Sequence, residues 1–375
     1  RERQLGVIVC ADNDVEDVEI GLSNCQCPRE GAAAPALTIC LYDHAGRTMR
    51  MGAGRLAPGQ ATVLSLNRLF PDWRRFVGDK PGNISVLLPA SVGRPLVFHR
   101  FKGRSSYCLN HLTGDKSRPP FVLRGEELKG AGLGPVFAAG VIFGENVTTA
   151  VSMIMNWGFG KPFELEGKIF DAAGAPVASF GKVLRPWETW VHDLAKDVDV
   201  ARLSKPWFGS VLLYPKNNDF VPTSFDANVE YIGPGWRQSV NLGSSVLNLG
   251  EVKNIRSYQV GRTKNFLRVR HDEKWDTDVI IVNHSSRPDY NVPSQTTVRL
   301  ISGDGRRQTS RTISIPPRGA LHGSVSSLFP DFADVMGGHP VATLHIRDTQ
   351  VKLLGIHMLR NRKTGALSGD HYFGG

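Results

Sequence analysis

Val18 to Asn24 reads VEIGLSN, an apolar strand closed by Asn, and the motif returns as VSMIMN at 151–156 and DVIIVN at 278–283. The closing residues are Asn24, Asn156 and Asn283, so the steps are 132 and 127 residues. Downstream of each lies a second strand running into a glycine turn: LTICLYDHAGR at 37–47, LEGKIFDAAGAP at 165–176 and VRLISGDGRR at 298–307. A further strand, a proline (Pro58, Pro186, Pro317) and an apolar stretch follow in each copy: VLSLNRLFPDW, TWVHDLAKDV and HGSVSSLFPDF. A period of this length is the size of a domain, which predicts three tandem units at 1–117, 118–244 and 245–375.

Within a copy the apolar runs are strand-length and punctuated by turns. In the third, FLRVRH, VIIVN, TTVRLIS, TSRTISI, VATLHI and VKLLGIHML give six or seven strands, separated at Asp304-Gly305, Pro316-Pro317 and Gly337-Gly338. With 40 Gly and 23 Pro the composition also suits a turn-rich chain. The expected fold class is therefore all-β, an antiparallel sandwich in each copy. Helix is expected only as short turns in SSLFPDF and HDLAKDVDVARLS, with Leu69, Phe70, Leu328 and Phe329 plugging the sandwich ends. Only 23 residues precede Asn24, so the first copy is expected to lack its opening strand or to receive it from another chain. The start at Arg1 predicts that a leader or upstream segment was removed or left out.

No apolar run is long enough to span a bilayer as a helix; GPVFAAGVIFG at 134–144 is the longest and is strand-length. The net charge of +10 favours an anionic partner. The basic residues are spread over the copies and are densest in RSYQVGRTKNFLRVRH, which contains Arg256, Arg268 and Arg270. Alternation in FLRVRH predicts that Arg268 and Arg270 share one strand face while Leu267 and Val269 share the other.

All five cysteines, Cys10, Cys25, Cys27, Cys40 and Cys108, lie in the first copy, so the common fold needs no disulfide. Bridges such as Cys25 or Cys27 to Cys108 are open readings, and a thiolate metal site is disfavoured by the C-x-C spacing.

The run from apolar strand through Asp-x-x-Gly turn to the Leu56-Ala57-Pro58-Gly59 corner and Leu-Phe-Pro resembles the immunoglobulin-like modules of secreted and surface-anchored bacterial proteins. That resemblance implies binding, adhesion or spacing outside the cytoplasm, extracellular or at the cell surface, with the periplasm as the other compartment. The second copy departs from it, with Arg185-Pro186-Trp187 at the corner.

Two sets of side chains are candidate ligand contacts. The second copy is rich in aromatics near turns, Trp157, Trp187, Trp190, Trp207 and Trp236, which suit stacking on sugar rings when exposed and core filling when not. Histidines recur near the copy ends, His99 and His111 in the first and His357 and His371 in the third, each second one beside a Gly-Asp pair. The acidic run from Asp12 to Asp17 imitates part of a calcium loop but lacks its glycine and bidentate glutamate, which leaves a hairpin turn as the reading. Nucleophile-elbow, zincin, P-loop and dinucleotide signatures are missing from the sequence.

The expectation is a non-enzymatic exported binding or scaffold protein, without cofactor, whose partner is an anionic polysaccharide or cell-envelope component rather than nucleic acid. A self-assembling filament, sheath or coat subunit (a homo-oligomer) is the alternative, and a carbohydrate-active enzyme with sandwich repeats the third reading.

Overall fold

The computed structural model describes residues 2–9, 15–24, 34–89, 96–101, 107–111, 122–123, 136–154, 162–186, 188–216, 221–222, 226–242, 263–284, 290–351 and 353–372. The chain is all-β. Among the described residues, 24 of the 26 strands fall into three sets of eight with one topology.

The first set is β1 (Glu2–Val9), β2 (Val15–Ser23), β3 (Ala36–Tyr42), β4 (Thr48–Arg55), β5 (Ala61–Ser65), β6 (Gly82–Pro89), β7 (Leu96–Phe101) and β8 (Tyr107–His111). It forms two antiparallel sheets, ordered β1-β6-β3-β4 and β5-β2-β7-β8. After the two-residue β9 (Val122–Leu123), the second set contains β10 (Phe137–Phe143), β11 (Thr148–Ile154), β12 (Phe163–Asp171), β13 (Pro176–Leu184), β14 (Thr189–Asp193), β15 (Trp207–Pro215), β17 (Asp226–Gly233) and β18 (Trp236–Asn241). Here β16 (Val221–Pro222) pairs with β9 outside the main sheets. The sheets are β10-β15-β12-β13 and β14-β11-β17-β18.

The third set runs β19 (Thr263–Arg270), β20 (Trp275–Asn283), β21 (Thr296–Ser302), β22 (Gln308–Ile313), β23 (Ala320–Ser324), β24 (Val341–Asp348), β25 (Leu353–Asn361) and β26 (Leu367–Tyr372). It gives β19-β24-β21-β22 and β23-β20-β25-β26. Each set forms one unit, with its first-named sheet as the opening sheet and its second as the closing sheet.

The strands follow from period-two burial. Along β12, Phe163, Leu165 and Ile169 are buried while Glu164 is exposed. In the first unit Ile20 and Leu22 of one sheet meet Ile39, Leu41, Ile84 and Val86 of the other, and the third unit has a core of the same kind. The hairpins after β3 and β12 share one device. Asp43 Oδ1 accepts from Ala45 N (3.0 Å) and Arg47 N (2.8 Å), and Asp171 Oδ1 accepts from Ala175 N (2.8 Å). Gly46 and Gly174 then take φ 86° and 81°, which side chains disfavour.

Asn24 and Asn283 tie the end of β2 and β20 to the proline corner. The amide Nδ2 of Asn24 donates to Leu56 O (3.1 Å) and that of Asn283 to Ile315 O (2.8 Å). The third landmark is offset. The ladders pair Glu19, Ala150 and Asp278 with Ser65, Asp193 and Ser324, so the same count forward gives Asn24 and Asn283 but residue 155, one short of Asn156. Asn156 itself lies outside the described residues.

Between the fifth strand and the next sheet the chain crosses by short helices, Leu66–Leu69 and Trp73–Val77 in the first unit and Val325–Leu328 and Phe332–Met336 in the third. The second unit has 3-10 turns at Leu194–Lys196 and Val200–Arg202 instead. Ser65 and Ser324 cap the first helices, accepting from Arg68 N (3.3 Å) and Ser327 N (3.2 Å). Phe70, Leu328 and Phe329 are buried as expected, whereas Leu69 is only half-buried and Leu66 and Trp73 fill its place.

Two sequence expectations are corrected. The first unit does have an opening strand, because Glu2–Val9 pairs along β6 as β10 and β19 pair along β15 and β24. Among the described residues the third set holds eight strands rather than six or seven. The overlooked ones in the third, ALHGS and LSGDHY, are short and polar and are recruited as edge strands by β20 and β25. The boundaries at 117/118 and 244/245 lie outside the described residues.

Successive units join by one kind of seam. The opening sheet of one unit lays its outer face on the closing sheet of the next. At the first seam Asn83 Nδ2 donates to Thr189 Oγ1 (2.8 Å) and Thr189 N donates to His44 O (3.4 Å). At the second, Ala320 N donates to Ala172 O (3.3 Å), Ser210 Oγ bonds Arg318 O, and Gly140 lies under Ile280, whose Cγ2 would be 2.2 Å from an added Cβ. Ile280, Val282, Leu354, Ile356 and Met358 thereby join the apolar core of the second unit.

Candidate functional site

The outer face of the third unit's opening sheet is the best-defined charged surface. Leu267 and Val269 of β19 point into the core at 5% and 0% exposure, leaving Phe266, Arg268 and Arg270 on the outside, all exposed. The alternation read in FLRVRH is thus the one the sheet adopts. Across the ladder Phe266 stands beside His345 and Arg299, and Arg268 beside Thr343 and Ile301. Arg299 and Arg347 are exposed on the same face, because Val298, Leu300, Leu344 and Ile346 take the inward positions. The Phe266 and His345 rings stack at 4.3 Å between centroids and 8° between planes, and Phe266 remains 60% exposed.

Among the described residues no carboxylate projects outward from these four strands. At the strand end, Arg270 Nε donates to Asp272 Oδ2 (2.8 Å), and this bond holds the Asp272 carboxyl below its usual range. Arg268, Arg299 and Arg347 together make a cationic field over an aromatic platform, an arrangement that attracts anionic groups and stacks on planar or apolar rings. Arg256 lies outside the described residues.

The equivalent faces of the other units are covered. Gly140, Ser210 and Leu212 occupy the places of Arg268, Thr343 and His345 and lie beneath the third unit; Asn83 and Ser85 occupy the last two of these places in the first.

The aromatic set of the second unit is spread through core, edge and seam. Trp236 is 5% exposed against Gly233, and Trp207 stacks on the buried Phe143 (5.5 Å, 24°). Trp190 is half-buried on the open edge with His192 (5.4 Å) and Phe180 (6.2 Å). Trp157 and Trp187 lie outside the described residues. Glycines close to these rings make room for them rather than mark loops: a Cβ at Gly233 would sit 2.2 Å from the Trp236 ring and one at Gly209 2.5 Å from the Trp207 ring.

The histidines separate into two cases. His111 and His371 are equivalent, paired with Leu96 and Ile356, which hold matching positions on β7 and β25. His99 and His357 are not, since Val97 pairs with Ile20 where His357 pairs with Val279. His99 is 6% exposed, and burial lowers the pKa of the half-buried His357. The structure does not gather the four into one cluster; they lie on two units. Asp17 accepts from Ser65 Oγ (2.6 Å) and Asn67 N (3.0 Å), a structural bond at the start of the crossing helix, while Asp12 and Asp14 lie outside the described residues. Cys40 is a buried free thiol whose pKa is raised by desolvation; Cys10, Cys25 and Cys27 lie outside the described residues.

Phe266, His345, Arg299 and Arg347 were missed as site residues. The available signal was the two-residue period of VRLIS and ATLHIRD, which puts Arg299 and His345 on the polar side of their strands.

An all-β scaffold with an exposed cationic sheet face among the described residues is the class that the fold and site define. No family model matches the chain, and no curated protein matches it in sequence. Among solved structures, a viral chemokine binding protein, R17 of rodent gammaherpesvirus Peru, aligns over 99% of this chain and 85% of its own at 10% identity and a TM-score of 0.19. A glycosyl hydrolase family 2 member from Bacteroides cellulosilyticus aligns over 64% of this chain at 11% identity and a TM-score of 0.15. The alignment spans 28% of that hydrolase's length. Similarities this slight bear on neither activity nor partner.

Proposed function

We propose that the chain is a non-enzymatic binding protein acting outside the cytoplasm, a tandem array of three immunoglobulin-like sandwiches that docks an anionic partner on the outer face of β22-β21-β24-β19. The immunoglobulin-like reading is supported by the pairing of second with fifth strand and of third with sixth in every unit. The first strand beside the sixth and the seventh beside the second depart from the immunoglobulin pattern.

One observation carries the binding reading: Arg268, Arg299 and Arg347 are exposed together around the Phe266–His345 stack on a rigid sheet. An acidic polysaccharide fits this chemistry, its carboxylates or sulfates on the guanidinium groups and its ring faces on Phe266. The test is retention on an immobilised sulfated or uronic polysaccharide as salt rises from about 50 mM to about 500 mM. Retention should fall steeply, and Arg268→Glu with Arg299→Glu should weaken binding by about tenfold or more. Binding indifferent to both salt and these substitutions would remove the face from consideration.

A further inference from the structure

The two seams within the chain are copies of each other down to a backbone hydrogen bond. Thr189 and Ala320 are the donors at the first and second, and the ladders give them one position: they pair with Ile154 and Val282 as Ala61 pairs with Ser23. The acceptors His44 and Ala172 also match, each following the aspartate that ends its strand in a turn closed by Gly46 N to Asp43 O or Gly174 N to Asp171 O. In the third unit Gly305 N donates to Ser302 O, which makes Gly303 the corresponding acceptor. Beside this bond, Asn83 and Ser210 hold one position, opposite Tyr42 and Phe170, and both bond across their seam.

A chain built by repeating one asymmetric seam ends in two unlike faces. The tail is the cationic face of the third unit. The head is the outer face of the first unit's closing sheet, where Gly21, Ser23, Ala61, Val63, Leu96 and Phe98 line a shallow depression of ≈ 410 Å³. Val63 is 63% and Leu96 39% exposed, so among the described residues nothing seals this face. The positions matching Leu96 in the other closing sheets, Asn228 and Ile356, are both 1% exposed beneath the preceding unit.

Head and tail are complementary in size and charge. The second seam opposes Gly140 to Ile280; at the same two positions the tail carries Arg268 and the head Gly21, with bulk and space exchanged. The β2 end of the head holds Glu16, Asp17 and Glu19 within 4.0 Å of Arg100, with the Arg74 guanidinium on the Glu16 carbonyl (2.8 Å), so three carboxylates stand beside two cations and leave a net negative charge toward the arginines of the tail.

We infer that the acidic partner of the tail is a second copy of this chain, seating its first unit on the third and repeating the seam, with Ala61 N donating to Gly303 O. This rests on reading the cationic face as a docking surface. A contact between unlike faces does not close on itself, so it propagates into a filament or, if the rotation closes, a ring.

Sedimentation velocity on the full chain over rising protein concentration tests it. The wild type forms species larger than the monomer, which dissolve as salt rises. Val63→Glu with Leu96→Glu blocks the head and Arg268→Glu with Arg299→Glu blocks the tail; all four positions are exposed, so the fold is retained, as circular dichroism will check. Each variant alone sediments as a monomer, while an equimolar mixture yields a species of twice the monomer mass and nothing larger. A wild type that stays monomeric at the highest concentration overturns the inference, as does either variant still associating alone or a mixture that stays monomeric.

The head variant separates this inference from the polysaccharide reading, since it leaves the tail intact and should bind the immobilised polysaccharide as the wild type does. Polysaccharide retention without self-association sinks the inference alone. Self-association without retention sinks the polysaccharide reading alone.

Discussion

Replacing His322 by valine should remove a defined part of the protein's sensitivity to acid. His322 lies in the second seam against Phe208, ring centroids 4.2 Å apart, with both ring nitrogens closed to solvent and no hydrogen-bond partner. Burial lowers its pKa to about 4, the carboxylate of Asp278 opposing the shift and Arg360 adding to it. Unfolding frees the imidazole to titrate near its ordinary value of about 6.5. Between these values the unfolded chain binds the proton that the folded chain refuses, so stability is full above the unfolded value and falls as pH drops toward the folded one. With pKa values of about 6.5 and about 4, the loss comes to about 2 kcal/mol at pH 5 and approaches about 3 kcal/mol in more acid solution.

Valine is the residue that the first and second units carry at this position, Val63 and Val191. The assay is urea unfolding followed by tryptophan fluorescence at pH steps from about 7.5 to about 4.5, comparing slopes of stability against pH. His357, whose pKa burial also lowers, contributes in the same direction to wild type and variant, so the difference between the curves isolates His322. The variant's curve should be flatter by about 2 kcal/mol between pH 7.5 and pH 5. Parallel curves would mean that this imidazole is hydrated or already paired, and the description of the seam would be wrong.

Gly140→Val should force the second seam apart, because Ile280 Cγ2 lies 2.2 Å from the added Cβ. The expected cost is about 1–3 kcal/mol, read as a lower Tm and partly recovered by adding Ile280→Ala. Glu230 and Arg237 form an ion pair at 2.8 Å with side chains 3% and 10% exposed, so Glu230→Ala takes a shielded carboxylate away from the guanidinium. A loss of about 3–5 kcal/mol is expected, and the double change to apolar residues should recover much of it; chemical denaturation decides. Ser324→Ala removes the cap on Ser327 N and should cost about 1 kcal/mol. Ser65→Ala should cost more in the same measurement, because Ser65 also donates to the buried Asp17 carboxylate, whereas the further bond of Ser324 is from the neutral Ser326 hydroxyl.

The fold class was legible because strand burial has a short period. In FLRVRH, TTVRLIS and VATLHI the alternating residues Leu267, Val269, Val298, Leu300, Ala342, Leu344 and Ile346 face the core, while Phe266 stays outside. Short strands such as ALHGS were not legible, because their partners and not their own residues make them strands. The acidic Asp-x-x-Gly turn was readable from its chemistry, yet the missing opening strand was inferred from spacing alone, and Glu2–Val9 occupies its place. Of the charged face, Arg268 and Arg270 were visible in a dense basic run. Arg299 and Arg347 come from distant strands, and only the ladder joins them. The tryptophans misled for a physical reason: a glycine near a ring marks close packing as readily as a loop.

The two seams rest on different chemistry, although their geometry is shared. At the first, the second unit presents Ser152, Asn228 and Glu230 beside Ile154, all nearly inaccessible; at the second, the third presents Ile280, Ile356 and Met358 beside Val282 at the matching positions. Apolar contact loses strength on cooling, whereas hydrogen-bonded polar contact does not follow that curve. Chilling therefore weakens the second joint relative to the first, and moderate heat favours it. The array has a directional weakness set by temperature, and which end lets go reports whether hydrocarbon or amide holds the joint.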